Sequence, residues 1–243
     1  MTKLFQIITD SSCDLPQSLA DELDLRVLPL HVTIDGKTYN NYLDGRGIAF
    51  KDFFDKLRAG SQGTTSAVNP EEFRAEMEPV LAAGLDVLYV GFSSGLSTTY
   101  QSGCIAADEL REKYPERKIL TIDSLGASLG EGLYVYLAAK KQQSGATIEE
   151  TYDYLMQTRP HLCHWFTVND LMHLKRGGRV SATAALLGTM LQIKPVMHMD
   201  DEGHLIPVSK AVGPELGLVA LISGTITTLA VPIWLPLGVT LFG

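Results

Sequence analysis

Three short hydroxyl-rich loops hold the residues best suited to chemistry: Asp10-Ser11-Ser12, Thr64-Thr65-Ser66 and Ser93-Ser94-Gly95-Leu96-Ser97-Thr98-Thr99. Small hydroxyls beside the free backbone N–H groups of a helix start bind an anion without supplying a full charge. A carboxylate or a phosphate suits such a site. Ser, Thr and Asp also cap helices, and each segment taken alone reads first as a cap. Three in one chain strengthen the ligand reading.

A second chemistry is written over the third segment. Gly91-Phe92-Ser93-Ser94-Gly95 matches the G-x-S-x-G nucleophile elbow between a strand and a helix. A serine hydrolase built on Ser93 would need an acid, Asp123 or Asp170, and a later histidine from His161, His164, His173, His198 and His204. No HGGG-type oxyanion segment lies upstream, and each histidine reads more simply as a surface or partly buried polar residue. A third class, a phosphotransfer or sugar-phosphate-binding module, would use the same helix starts. Lys175-Arg176-Gly177-Gly178-Arg179 reads as a helix end, with glycine as C-cap and basic residues against the dipole, ahead of a cationic docking site. Cys13, Cys104 and Cys163 are odd in number and widely spaced, which fits neither a disulfide framework nor a zinc site. No metal is expected. Cys13 and Cys104 lack a basic neighbour to activate a thiol and read as inert packing.

The elements that position these residues follow from periodicity and turn chemistry. Leu4 to Thr9, Arg26 to Ile34, Val87 to Gly91 and Lys118 to Ile122 read as strands. Helices are expected after Asp14-Leu15-Pro16, from Ile48 to Leu57, after the cap Asn69-Pro70, from Leu96 to Lys113 and from Leu129 to Gln143. Asp35-Gly36 is a hairpin turn. Apolar strands alternating with helices imply a parallel sheet covered on both faces, with ligands beyond the strands' carboxyl ends. Thr147 with Glu150 forms a capping box, and Leu162 to Val168, Ile193 to Met199 and Leu205 to Val208 read as strands. The expected fold class is α/β: a parallel-sheet, Rossmann-like domain over residues 1–145 and a smaller, incomplete α+β domain over 146–211.

Composition bounds the function. The chain has 243 residues, 45% hydrophobic and 20% charged, as globular proteins do. A net charge of -8 excludes a general nucleic-acid binder. Met1-Thr2-Lys3-Leu4-Phe5 lacks a signal peptide's apolar run, so a cytoplasmic location is expected.

In chain order, Ile8-Thr-Asp-Ser-Ser-Cys-Asp-Leu15, Thr64-Thr-Ser66, Ser93-Ser-Gly-Leu-Ser-Thr-Thr-Tyr-Gln-Ser102, Ile122-Asp-Ser124, Asp170-Leu-Met-His-Leu-Lys-Arg-Gly-Gly-Arg-Val-Ser181 and Lys194-Pro195 resemble the DegV family of bacterial lipid-binding proteins, which includes the FakB subunits of fatty acid kinase. The resemblance spans about residues 3–210. It implies a DegV-like fold with a long apolar tunnel, one long-chain fatty acid, and a carboxylate held by Thr64, Thr65, Ser66, Ser93, Ser94, Gly95 and Ser97. It implies no cofactor beyond that ligand and no catalysis by this chain. A separate ATP-dependent fatty acid kinase would make the acyl phosphate for phospholipid synthesis, with membrane contact only transiently during lipid exchange.

The resemblance stops after Lys210-Ala211. The family's later arginine and histidine, which help to hold the carboxylate, have no counterpart beyond that point. Residues 212–243 form an apolar tail whose only charged residue is Glu215. It reads first as a substituted end, then as a membrane anchor, since Leu216 to Phe242 is long enough to span, or as a different core segment. Pro232, Pro236 and the absence of a basic flank weigh against the anchor.

Overall fold

The computed structural model describes residues 4–168, 171–180 and 193–212. The fold is mixed α/β, with one parallel sheet and two antiparallel ones. The parallel sheet has the order β2-β1-β6-β7, from β1 (Phe5–Asp10), β2 (Arg26–Leu28), β6 (Asp86–Gly91) and β7 (Ile119–Asp123). Every residue of β1 is buried, as a strand covered on both faces requires.

Alternate side chains of these strands feed two cores. Ile8, Val87, Tyr89 and Ile119 meet Phe73, Met77 and Val80 of α3 (Pro70–Ala82) and Ala106, Ala107 and Leu110 of α4 (Thr99–Lys113). Phe5, Ile7, Leu88, Val90 and Ile122 meet Leu23 after α1 (Gln17–Glu22), Tyr134, Val135 and Ala138 of α5 (Ser128–Gln143), and Ile148 and Leu155 of α6 (Ile148–Thr158). The helix starts obey their signals. Asn69 and Thr147 each accept from the backbone three residues on, while Glu72 and Glu150 reach back to the cap N–H. Residue 146, the expected domain boundary, falls between α5 and α6, two helices packed on the same face of the parallel sheet.

Two expected elements differ. Arg26 to Ile34 is not one strand. Pro29, which has no N–H for a ladder, separates β2, paired with β1, from β3 (Leu30–Ile34) in another sheet. That second sheet has the order β4-β3-β5, with β4 (Lys37–Asn41) joined through Asp35 and Gly36, both at positive φ (52° and 74°), the geometry of a tight hairpin. Thr64-Thr65-Ser66 is also not a loop. It lies in β5 (Gly63–Ser66), antiparallel to β3 with Thr65 opposite Val32. Threonine's β-branching suits it to this half-exposed strand. The helix α2 (Phe50–Arg58) covers the sheet with Phe53 against Val32 and Ile34.

The third sheet, β10-β9-β8, comprises β8 (Trp165–Thr167), β9 (Ile193–Met199) and β10 (Leu205–Val212), all antiparallel. Phe166, Met197, Met199 and Leu205 join the α3–α4 core, so this sheet packs onto the same hydrophobic mass. A short helix, α7 (Leu171–Arg176), ends at Gly178 with φ 75°, where Gly178 N donates to Lys175 O and Arg179 N to Leu174 O. That is the expected glycine C-cap. Residues 213–243 lie outside the described residues, and with them nearly all of the apolar tail and its alternatives. Among the described residues, no helix is long and apolar enough to cross a membrane.

Candidate ligand-binding site

A cavity of about 390 Å³ opens where the carboxyl end of β6 meets β5 and β10. Thr65, Ser66, Ser94, Ser97 and Thr98 supply hydroxyls, Arg179 supplies a guanidinium, and Leu30, Phe92, Leu96 and Leu205 supply apolar wall. Three sheets and two loops therefore contribute to one site. A second pocket of about 560 Å³ shares Thr65 and Arg179 with it and adds Thr64, Gly177 and Arg176.

The loop after β6 is held from below and from the side. The carboxylate of Asp123, at the end of β7, accepts from Ser94 N, 3.3 Å from each oxygen. Ser97 Oγ accepts from Thr99 N at 3.2 Å, at the start of α4. The turn between β9 and β10 docks against this loop. Ser93 Oγ donates to Gly203 O at 2.8 Å and accepts from Gly95 N at 3.2 Å. A Cβ at Gly95 would come within 2.8 Å of the Glu202 and Gly203 carbonyl oxygens, so only glycine permits this approach. Asp200 shapes the turn by accepting from Glu202 N and His204 N, which helps to keep its carboxyl below its ordinary range despite the opposing effect of burial.

Of the expected site residues, Thr65, Ser66, Ser94 and Ser97 come together in the cavity. Thr64 borders the adjoining pocket. Ser93 and Gly95 are not among the residues lining either pocket; Ser93 is fully buried, and both join the loop to the β9–β10 turn. Asp10-Ser11-Ser12 is likewise buried rather than presented to a ligand. Ser11 Oγ accepts from Leu30 N at 3.0 Å, and Ser12 serves the carboxyls beside it.

Among the described residues, the Ser93 hydroxyl has no histidine partner. The Ser93 hydroxyl is committed to a backbone carbonyl, and Asp123 to backbone N–H groups. His198 stacks on Trp165, His204 lies 3.4 Å from Asp200, and burial lowers His164 to a pKa of about 4. Asp170 and the His173 side chain lie outside the described residues. Cys13 is buried, which pushes its thiol well above its ordinary value, as inert packing implies.

Arg179 is the cavity residue that sequence reasoning passed over. It sits in the basic run read first as a helix end and second as a cationic docking site. The C-cap turns the chain so that Arg179 Nε donates to Leu96 O at 3.1 Å, and the side chain reaches the hydroxyl loops. The signal was present in Gly177-Gly178-Arg179, but its direction depends on a turn visible only in three dimensions.

With this geometry in view, comparison with known proteins gives the family. The model of the DegV family COG1307, described as uncharacterised protein, matches residues 4–228. The chain belongs to the DegV family. The match runs past Ala211, to residue 228. A DegV domain-containing protein of Clostridium perfringens is 44% identical over 216 residues, covering 89% of this chain and 74% of that protein. Among solved structures, a fatty-acid-binding DegV family protein from Thermus thermophilus superposes with a TM-score of 0.80 at 33% identity, covering 90% of this chain and 76% of that one. A Thermotoga maritima protein described as revealing fatty acid binding function has a TM-score of 0.79 at 28% identity, with 92% and 76% covered.

Proposed function

We propose that this chain binds one long-chain fatty acid, with the carboxylate at Thr65, Ser66, Ser94 and Ser97 beside Arg179, and presents it to a separate ATP-dependent kinase. The observation that carries this reading is the mixed cavity: hydroxyls and one guanidinium facing Leu30, Phe92, Leu96 and Leu205. Its DegV relatives from Thermus thermophilus and Thermotoga maritima, described as fatty-acid binders, support the ligand class.

The energetics fit a carrier. Each buried methylene contributes about 0.8 kcal/mol, so ten contribute roughly 8 kcal/mol and the tail supplies most of the affinity. The head group needs only partners enough to avoid an unpaired charge. Hydroxyls provide these while leaving a carboxylate oxygen open to phosphoryl transfer. Arg179 adds the cation that a neutral rim lacks. Thr64 lines the adjoining pocket. Ser93 and Gly95 hold the loop in place without touching the ligand.

Calorimetric titration with oleate and with oleyl alcohol tests the head site. Oleate binds at least roughly tenfold more tightly, the value of one hydrogen bond to a charged group. Equal affinities would remove the carboxylate from the account. Incubation with oleate, ATP and Mg²⁺ yields no acyl phosphate until a fatty acid kinase is added; product without it would make this chain the catalyst.

A further inference from the structure

Two carboxyl groups lie together in the interior with no cation beside them among the described residues. Asp10 ends β1 and Glu131 lies in the first turn of α5; both are fully buried. Gly132 permits the approach, because a Cβ there would fall 2.4 Å from Cys13 O. Among the described residues, the titratable groups facing the pair are Asp14 and Cys13 on the turn after β1, Tyr89 on β6 and, behind it, Cys104 on α4. None is cationic at neutral pH.

Hydrogen counting decides how such a pair is tolerated. Asp10 accepts from four donors. Ser12 N (3.2 Å) and Ser12 Oγ serve one oxygen, and Phe92 N (3.1 Å) and Tyr89 OH (3.2 Å) serve the other. That is the full complement of an ionised carboxylate. Glu131 has Thr9 Oγ1 at 3.2 Å from one oxygen and Ser12 Oγ at 2.7 Å from the other. The Ser12 hydroxyl carries one hydrogen, however, and it lies between Asp10 and Glu131. If it donates to Asp10, the short contact with Glu131 sets two bare oxygens against each other unless Glu131 carries a proton and donates to Ser12.

We propose that Glu131 is a buried neutral acid, and that the chain Glu131 O–H to Ser12 O–H to Asp10 fixes the Phe92 N–H and Tyr89 hydroxyl beneath the cavity loop. Glu131 is thereby a positioning residue. It acts through Ser12 and Asp10 on Phe92, which lines the cavity. Burial first, and the charge of Asp10 second, raise the Glu131 pKa well above its ordinary value, in the same direction. The amino end of α5 favours the anion but supplies no hydrogen to the Ser12–Glu131 contact. Loss of the proton places a second charge on the one Ser12 hydroxyl and loosens the support of Phe92. The inference holds whatever the cavity binds.

The test is carbon NMR of protein labelled at the glutamate side-chain carboxyl. One resonance stays at the protonated-acid position at pH 7, shifts only on alkaline titration, and is lost in Glu131→Gln. A wild-type spectrum with every glutamate carboxyl ionised at pH 7 would overturn the proposal without reference to any variant. Thermal unfolding from pH 5 to pH 9 adds a second reading. A neutral acid is replaced well by glutamine, so Glu131→Gln unfolds with a flatter pH profile than wild type and above Glu131→Ala at pH 7. A glutamine variant as unstable as the alanine variant would contradict it.

Discussion

Replacing Ser93 by alanine separates loop architecture from ligand contact. The Ser93 hydroxyl is fully buried, donates to Gly203 O at 2.8 Å and accepts from Gly95 N at 3.2 Å. Alanine removes both bonds and leaves a carbonyl and an N–H facing a dry contact, at a cost of about 1–3 kcal/mol. A chain of this size loses roughly 2–4 °C of Tm per kcal/mol, so unfolding moves down by roughly 2–12 °C. Fatty-acid affinity, measured by calorimetry below that transition, changes by less than about threefold, because Ser93 is not a lining residue. Ser94→Ala gives the opposite pattern. Ser94 is exposed in the cavity, so stability changes by no more than about 0.5 kcal/mol. Loss of a hydrogen bond to the carboxylate, about 1.5–3 kcal/mol, weakens binding roughly 10- to 150-fold. Abolished binding with unchanged stability in Ser93→Ala would refute the placement of Ser93 and return it to the ligand.

Four further outcomes follow from other parts of the molecule. Thr147→Ala breaks the capping box of α6 and lowers stability by about 1 kcal/mol in urea unfolding, with no effect on ligand affinity. His164, whose pKa burial lowers to about 4, is depressed on folding, so its contribution is present above about pH 6.5 and is lost as pH falls towards 4; an imidazole titration midpoint near 6.5 by proton NMR would contradict its burial. Arg179→Gln weakens oleate binding roughly tenfold or more but leaves oleyl alcohol binding unchanged; equal losses for both ligands would show a packing role instead. A fluorophosphonate probe leaves Ser93 unlabelled, and stoichiometric labelling would reinstate the hydrolase.

The parallel sheet was legible because its strands are apolar on both faces, and its helices because Asn69-Pro70 and Thr147…Glu150 write their own starts. Pro29 marked a break that a hydrophobic pattern alone did not respect, since Arg26 to Ile34 is apolar on either side of it. Thr64-Thr65-Ser66 has both strand propensity and loop polarity, and only pairing with β3 decides between them. Part of the cavity lining was readable as residue types, yet side-chain direction was not. Ser93 and Ser94 are neighbours with opposite fates, one buried against Gly203 and one in the cavity. Asp10-Ser11-Ser12 resembled an anion loop because it follows a strand, but Glu131, far away in sequence, turns it into an interior network. Arg179 was hidden behind the more familiar role of a helix end.

The central claim is that the chain carries one fatty acid. Native mass spectrometry of the protein as purified, followed by organic extraction and lipid identification, tests it most directly. The account predicts a mass excess of a single long-chain fatty acid per chain, lost on denaturation and recovered in the extract. A monodisperse protein that emerges empty and takes up no oleate when it is supplied in excess would contradict it.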